Sequence, residues 1–190
     1  MKNALEIHKI LWDEGTIQTR VRELGAQIAR DYQLLLAEEI KHKPPIAVGL
    51  LRGAVIFMAD LIRAMPIPVE CDFIQIASYG KDSEPGAIQL ARDLQNPVKG
   101  RHLLIVEDIV DTGQTLAYLQ EKLTARGAAS VKFCALIDKM ARRRATIRLD
   151  YVGFQLREDA FLVGYGLDYA EKYRNLPHIA ALKPEVVASH

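Results

Sequence analysis

The chain has 190 residues, of which 49% are apolar and 26% charged, and its formal net charge is +1. That is the profile of a soluble globular chain, long enough for one domain with a sizeable core. The near balance of charge argues against a nucleic-acid or membrane surface.

The opening MKNALEIHKILWDEG mixes acids and bases without a long apolar run, unlike a secretory signal, and no later run of about 18 apolar residues could span a bilayer. The cytoplasm is the expected location. From Ile17 the apolar residues Val21, Leu24, Ile28, Tyr32, Leu35, Leu36 and Ile40 follow at gaps of mostly three and four. This predicts one face of a long helix, with Thr16 as its N-cap and Lys43-Pro44-Pro45 as its stop. IAVGLL (46–51) reads as a strand buried on both faces, AVIFMADLIRAM (54–65) as a helix and VECDFIQIASY (69–79) as a strand. GKDSEPGAI (80–88) is aperiodic and rich in Gly and Pro, and reads as a mobile loop. HLLIV (102–106) and VKFCALI (131–137) are two more buried strands, separated by a helix over 114–126 that Gly127 ends. Shorter strands follow at YVGF (151–154) and FLVGYG (161–166), then the charged segment DYAEKYR. Cys71 and Cys134 lie in apolar stretches without the spacing of a metal site or disulfide framework. Both are expected as small buried thiols of a reducing compartment.

Strands alternating with helices predict an α/β fold with a parallel sheet covered on both faces. Ligands of such sheets bind at the carboxyl edge, where right-handed crossovers gather the strand ends. Three ends should meet there: Leu51-Arg52-Gly53, Glu107-Asp108 and Asp138-Lys139. The stretch VEDIVDTGQTL (106–116) sets a tension at that edge. Residues 111–115 join a strand to a helix, so their backbone amides form an anion site, with Gly113 allowing close approach and Thr112 and Thr115 adding hydroxyls. It is not a Walker loop, since no GK[ST] follows, and GYG at 164–166 lacks the third glycine of a dinucleotide fingerprint. Yet Glu107, Asp108 and Asp111 put carboxylates beside a phosphate cradle. The two are reconciled if the ligand is a phosphosugar: acids accept hydrogen bonds from ribose hydroxyls and hold Mg²⁺, which offsets repulsion from a pyrophosphate. 5-Phosphoribosyl-1-pyrophosphate has those parts.

VEDIVDTGQTL resembles the signature of type I phosphoribosyltransferases. GLLRG (49–53), SYG (78–80), LIVEDIVDTGQTL (104–116), LIDK (136–139) and VGYGLDYAEKYRNLP (163–177) together resemble, more narrowly, the hypoxanthine–guanine phosphoribosyltransferases. The resemblance runs from about residue 15 to 180. It implies a single domain over 1–190, with a parallel-sheet core and a small hood made from the N-terminal segment and about 150–190. It also implies purine salvage: Mg²⁺-dependent transfer of phosphoribose to N9 of hypoxanthine or guanine, giving IMP or GMP and pyrophosphate, in a homodimer or homotetramer. By the same resemblance, Glu107 and Asp108 bind the ribose diol and the metal, and Asp111 is the base near purine N7. Asp111, Thr112, Gly113, Gln114 and Thr115 hold the 5′-phosphate. Leu51, Arg52 and Gly53 bind pyrophosphate, with a cis bond at Leu51–Arg52, and Arg143 and Arg174 reach it too. Lys139 meets the 6-oxo oxygen and Phe161 stacks on the purine. Leu162 and Asp168 offer backbone groups to the base edge, Asp168 adding a second metal contact. Ser78 and Tyr79 open a closing lid. Arg142 and Arg144 read as solvated. A nucleotide-binding regulator, the rival class, would require a basic face or an added nucleic-acid module, and the chain offers neither.

Overall fold

A computed structural model describes residues 6–36, 42–78 and 88–188. Six strands form one sheet: β2 (Ile46–Leu51), β3 (Glu70–Ser78), β4 (Ile88–Arg92), β5 (His102–Val110), β6 (Ser130–Lys139) and β7 (Tyr151–Leu156), in the spatial order β4-β3-β2-β5-β6-β7. All pairings are parallel except that of edge strand β4 with β3. Strands β1 (Ile7–Trp12), β8 (Leu162–Val163) and β9 (Ile179–Leu182) form a second, antiparallel sheet in the order β1-β9-β8. The helices are α1 (Glu14–Leu36), α2 (Val55–Arg63), α3 (Gln114–Ala125) and the short α4 (Pro184–Ala188).

The alternation of side chains along a strand divides the core in two. Leu104 and Val106 of β5 pack with Ile17, Val21, Leu24 and Ile28 of α1 and with Phe57 and Leu61 of α2. Leu103 and Ile105 face the other way, onto Leu116, Leu119 and Leu123 of α3. Every one of these side chains is at most 1% exposed, and each contributes about 1.5–3 kcal/mol by leaving water. This accounts for β2 and β5 reading as unbroken apolar runs: each face of the sheet carries a helix layer. The α1 and α2 side of the core also takes in Leu162, Ile179 and Ala181 of the small sheet, and Trp12 of β1 stacks on Phe154 of β7 with centroids 4.6 Å apart.

Several local expectations change. The cap of α1 is Asp13, whose Oδ1 accepts from the N–H of Thr16 at 2.7 Å. Thr16 lies inside the first turn, because a carboxylate placed before the helix can reach an otherwise unpaired amide and Thr16 sits too late to do so. The expected end of that helix at Ile40 falls outside the described residues. Strand β5 continues through Val110, so Glu107 and Asp108 lie within it. The strand expected over 161–166 shrinks to Leu162–Val163, because Gly164 and Gly166 take φ of +98° and +100° and turn the chain. Strands β1, β4 and β9, which were not anticipated, are short and carry little alternation. Strand β7, placed with the hood from sequence, is an edge of the large sheet. Cys134 is buried as expected, but Cys71 is exposed. It is the second residue of β3, on the strand face opposite buried Asp72 and Ile74.

Candidate active site

The chain passes from β2 outward to β3 and β4, then returns to the other side of β2 to lay down β5, β6 and β7. The carboxyl ends of β2 and β5 therefore flank the point where the strand order reverses, which is where open α/β sheets bind ligands. The peptide between Leu51 and Arg52 is cis, and Gly53 follows directly. A Cβ on Gly53 would stand 1.7 Å from Oδ2 of Asp108, so the absent side chain is what lets the two strand ends meet. Asp108 is 9% exposed, and its Oδ1 accepts from the N–H of Ile109 at 2.9 Å.

Beyond β5 the chain enters the 111–115 loop. Gly113 has a φ of +80° and caps α3 without a side-chain bond, leaving first-turn amides of a 12-residue helix open to an anion. Oγ1 of Thr112 accepts from the N–H of Gln114 at 3.4 Å. The carbonyl of Thr112 accepts from the amides of Arg144 and Ala145 at 3.0 and 2.9 Å, which ties the segment after β6 down onto the loop. The stem of Arg143 packs on Gly113, its Nη2 pairs with Asp138, and its Nε is buried without a partner.

Glu107 and Asp108 are adjacent acids with no ion pair among the described residues. Burial, then the negative charge of Asp108 beside it, holds the Glu107 carboxyl well above the usual carboxylate range. An acid pair this poorly compensated suits a cation or a hydroxyl donor. Among the described residues no group of three or more His, Cys, Asp or Glu side chains gathers to form a cage, and Asp168 is taken up by Arg174, with Oδ1 and Nη2 2.7 Å apart. The residues thus fit a Mg²⁺ ion that is shared between one or two carboxylates, substrate phosphates and water.

A 290 Å³ cavity opens between these acids and the small sheet, lined by Asp108, Ile109, Asp111, Lys139, Arg142, Ala160, Phe161, Leu162, Leu167 and Asp168. Asp111 faces it with Oδ1 buried and unpaired and Oδ2 3.5 Å from Nη1 of Arg142. Lys139, 6% exposed, ends β6 and places Nζ 2.5 Å from Oδ1 of Asp159. Phe161 is 41% exposed and meets Tyr169 edge to face, with centroids 5.2 Å apart. The turn after β8 completes the site. Nη1 of Arg174 donates to the carbonyl of Gly166 at 2.7 Å, Oδ2 of Asp168 accepts from the N–H of Glu171 at 2.9 Å, and Glu171 pairs with Arg52 at 2.5 Å. Tyr165, Ala170, Glu171 and Tyr173 all take positive φ, a strain that persists only where packing over-determines it. Part of that restraint is Tyr165, whose hydroxyl donates to Asp60 of α2 at 2.7 Å.

The structure thus gathers Leu51 to Gly53, Glu107, Asp108, residues 111–115, Lys139, Phe161, Leu162, Asp168 and Arg174 around one edge. Arg143 lies behind the loop. Tyr79 lies outside the described residues, so the lid expected from Ser78 and Tyr79 is not among the features seen. Arg142, read as solvated, is exposed, and it also lines the cavity beside Asp111. Asp159, Glu171 and Asp60 were not singled out, because none of them stands in a contiguous motif and the partner of each is distant in sequence.

Fold and site define a class. Residues 15–170 match the family model of the phosphoribosyl transferase domain, and the chain belongs to that family. It is 46% identical to the hypoxanthine-guanine phosphoribosyltransferase of Bacillus subtilis over 185 residues, which is 97% of this chain and 98% of that protein. Among solved structures it is similar to a hypoxanthine phosphoribosyltransferase of Staphylococcus aureus, with 41% identity and a TM-score of 0.87, covering 98% of this chain and 97% of that one. It is also similar to the hypoxanthine phosphoribosyl transferase of Trypanosoma cruzi, with 39% identity, a TM-score of 0.89 and coverage of 97% and 95%.

Proposed function

We propose that this chain is a purine-salvage enzyme that transfers phosphoribose from 5-phosphoribosyl-1-pyrophosphate to N9 of hypoxanthine or guanine. The observation that carries the reading is the cavity in which Lys139, Phe161 and Asp111 converge, directly beside the anion loop and the acid pair at the switch point. In this reading the 5′-phosphate sits on the amides of residues 111–115, the ribose diol on Glu107 and Asp108, and pyrophosphate against Leu51, Arg52 and Gly53 with Arg174 nearby. The base stacks on Phe161, its edge meets backbone groups of Leu162 and Asp168, and its 6-oxo oxygen accepts from Lys139. Arg143 supports the loop from behind and turns toward pyrophosphate. Ser78 and Tyr79 begin the segment that would shield the reacting carbon from water.

The N9 lone pair forms the new bond to ribose C1 as the C1–oxygen bond breaks and pyrophosphate leaves with its electron pair. The proton on N7 passes to the carboxylate of Asp111, which lines the cavity. Glu107 and Asp108 would hold Mg²⁺, with Asp168 joining them only if it exchanges its Arg174 pair for the metal; when bound, the ion neutralises charge building on pyrophosphate. The chain acts as one domain whose hood is the small sheet and its turns. A cytoplasmic homo-oligomer, dimer or tetramer, is the expected form, and the two free thiols suit a reducing compartment.

Nucleotide formation by the purified protein tests the reading, with hypoxanthine, guanine, xanthine and adenine supplied in turn and Mg²⁺ or a chelator present. Lys139 is a donor without an acceptor, and adenine presents a 6-amino donor where hypoxanthine presents an oxo group. Hypoxanthine and guanine should turn over only with the metal, and adenine should be worse by up to about 10⁴-fold. Equal rates on adenine and hypoxanthine would overturn the 6-oxopurine assignment, and full activity in chelator would remove the metal.

A further inference from the structure

We propose that Asp159 is a specificity-determining residue of the purine pocket: its carboxylate holds the Lys139 ammonium as the donor that selects a 6-oxopurine. The inference rests on the reading of Lys139 given above. The Lys139 side chain is 8% exposed, and an ammonium so far from water is costly unless a counter-charge and acceptors surround it. Among the described residues Asp159 is its only ion-pair partner, at 2.5 Å. The hydrogen bond and charge of Lys139 in turn hold the Asp159 carboxyl below its ordinary pKa.

The placement of Asp159 suits this role. It lines a neighbouring 440 Å³ cavity and not the 290 Å³ pocket, whereas Lys139 lines both. Asp159 therefore reaches Lys139 from the side away from a base bound in the smaller pocket, and leaves donors free toward that base. Its segment is anchored on both sides: adjacent Glu158 pairs with Lys9 of β1 at 3.2 Å, and the carbonyl of Phe161 accepts from the N–H of Leu182 at 2.9 Å. The same few residues thus carry the aromatic wall of the pocket and the group that orients its cation. An ammonium has three donors. With one committed to Asp159, those left meet an oxo group favourably and an amino group unfavourably.

Steady-state kinetics on the full chain compare Asp159→Asn, Asp159→Glu and Lys139→Met. Asp159→Asn should raise the KM for hypoxanthine by up to about fivefold, the size of one largely exposed charged contact, with little change in kcat or in donor KM. Its kcat/KM for adenine should not fall, so discrimination narrows, and Asp159→Glu should restore most of it. An unchanged hypoxanthine KM in Asp159→Asn, or equal weakening toward hypoxanthine and donor, overturns the proposal. Should Lys139→Met keep hypoxanthine turnover, the reading of Lys139 fails first and this inference falls with it. Loss in Lys139→Met without an effect in Asp159→Asn sinks this inference alone.

Discussion

At the scale of single residues, Asp111 has the sharpest demand placed on it. One carboxylate oxygen is buried without a partner and the other lies 3.5 Å from Arg142, so the carboxylate keeps unmet acceptor capacity beside the pocket that the residue lines. Asp111→Asn keeps the size and shape of the side chain but removes its charge, and with it the ability to take a proton. We expect kcat to fall by about 10²–10⁴-fold, the usual worth of general acid–base catalysis. Donor affinity should change much less, since the amides of the loop remain. Single-turnover rates together with calorimetric donor titration separate the two, and a variant with the parent rate would reduce Asp111 to a loop-shaping role. The family signature marked this residue in the sequence. It did not mark Arg142, which lines the pocket because the turn after β6 folds back onto the loop, or Asp159, which reaches Lys139 from the segment before β8.

At the scale of elements, the approach of β2 to β5 decides where the donor can sit. Alanine at position 53 would put a methyl 1.7 Å from Oδ2 and 2.6 Å from Cγ of Asp108. Asp108 is buried in a strand flanked on both sides, so it has little room to swing aside. Overpacking of this kind costs about 1–3 kcal/mol, which thermal denaturation of Gly53→Ala should register as a modest loss. Its larger effect should fall on donor KM, because the displaced carboxylate is the proposed ribose contact. A variant that loses stability but retains donor KM would show that Asp108 does not meet the donor. The glycine is visible in the sequence, but the reason for it is not, since its neighbour across the sheet lies 55 positions further along the chain.

At the scale of the whole molecule, the small sheet must stay registered on the large one, and Asp60 is one of the fasteners. It accepts from Tyr165 at 2.7 Å and from Gln18 at 2.9 Å and pairs with Arg63, so that α1, α2 and the turn bearing Asp168 and Arg174 share one carboxylate. Burial would raise its pKa, but those hydrogen bonds and the Arg63 charge outweigh it and hold the carboxyl below its ordinary 3.8. A carboxylate with a depressed folded pKa stabilises fully above its unfolded value, and that contribution is lost as pH falls through the folded one. Asp60→Asn should therefore be less stable than the parent in urea at neutral pH, and the gap should close as the medium is taken below about pH 4. A gap that stays constant down to pH 3 would mean the charge of Asp60 plays no part in fastening the two sheets.

Local periodicity and contiguous motifs made part of this protein legible along the chain. The amphipathic α1, the doubly buried β2, β5 and β6, the strand-to-helix loop at 111–115 and the acids before it are all properties of neighbouring residues, and they suffice for the α/β class and for the proposal of a phosphosugar site. What depends on residues distant in sequence emerged with the folded chain. It set the strand order that makes β2 and β5 neighbours, the exposure of Cys71, and the antiparallel sheet built from both ends of the chain. It also set the pairing of Lys139 with Asp159, of Arg142 with Asp111 and of Tyr165 with Asp60. Short strands such as Leu162–Val163 form because a partner strand satisfies their backbone groups, not because their own residues demand it. An ion pair likewise carries no pattern along the chain, because its energy depends on a distance that only folding creates.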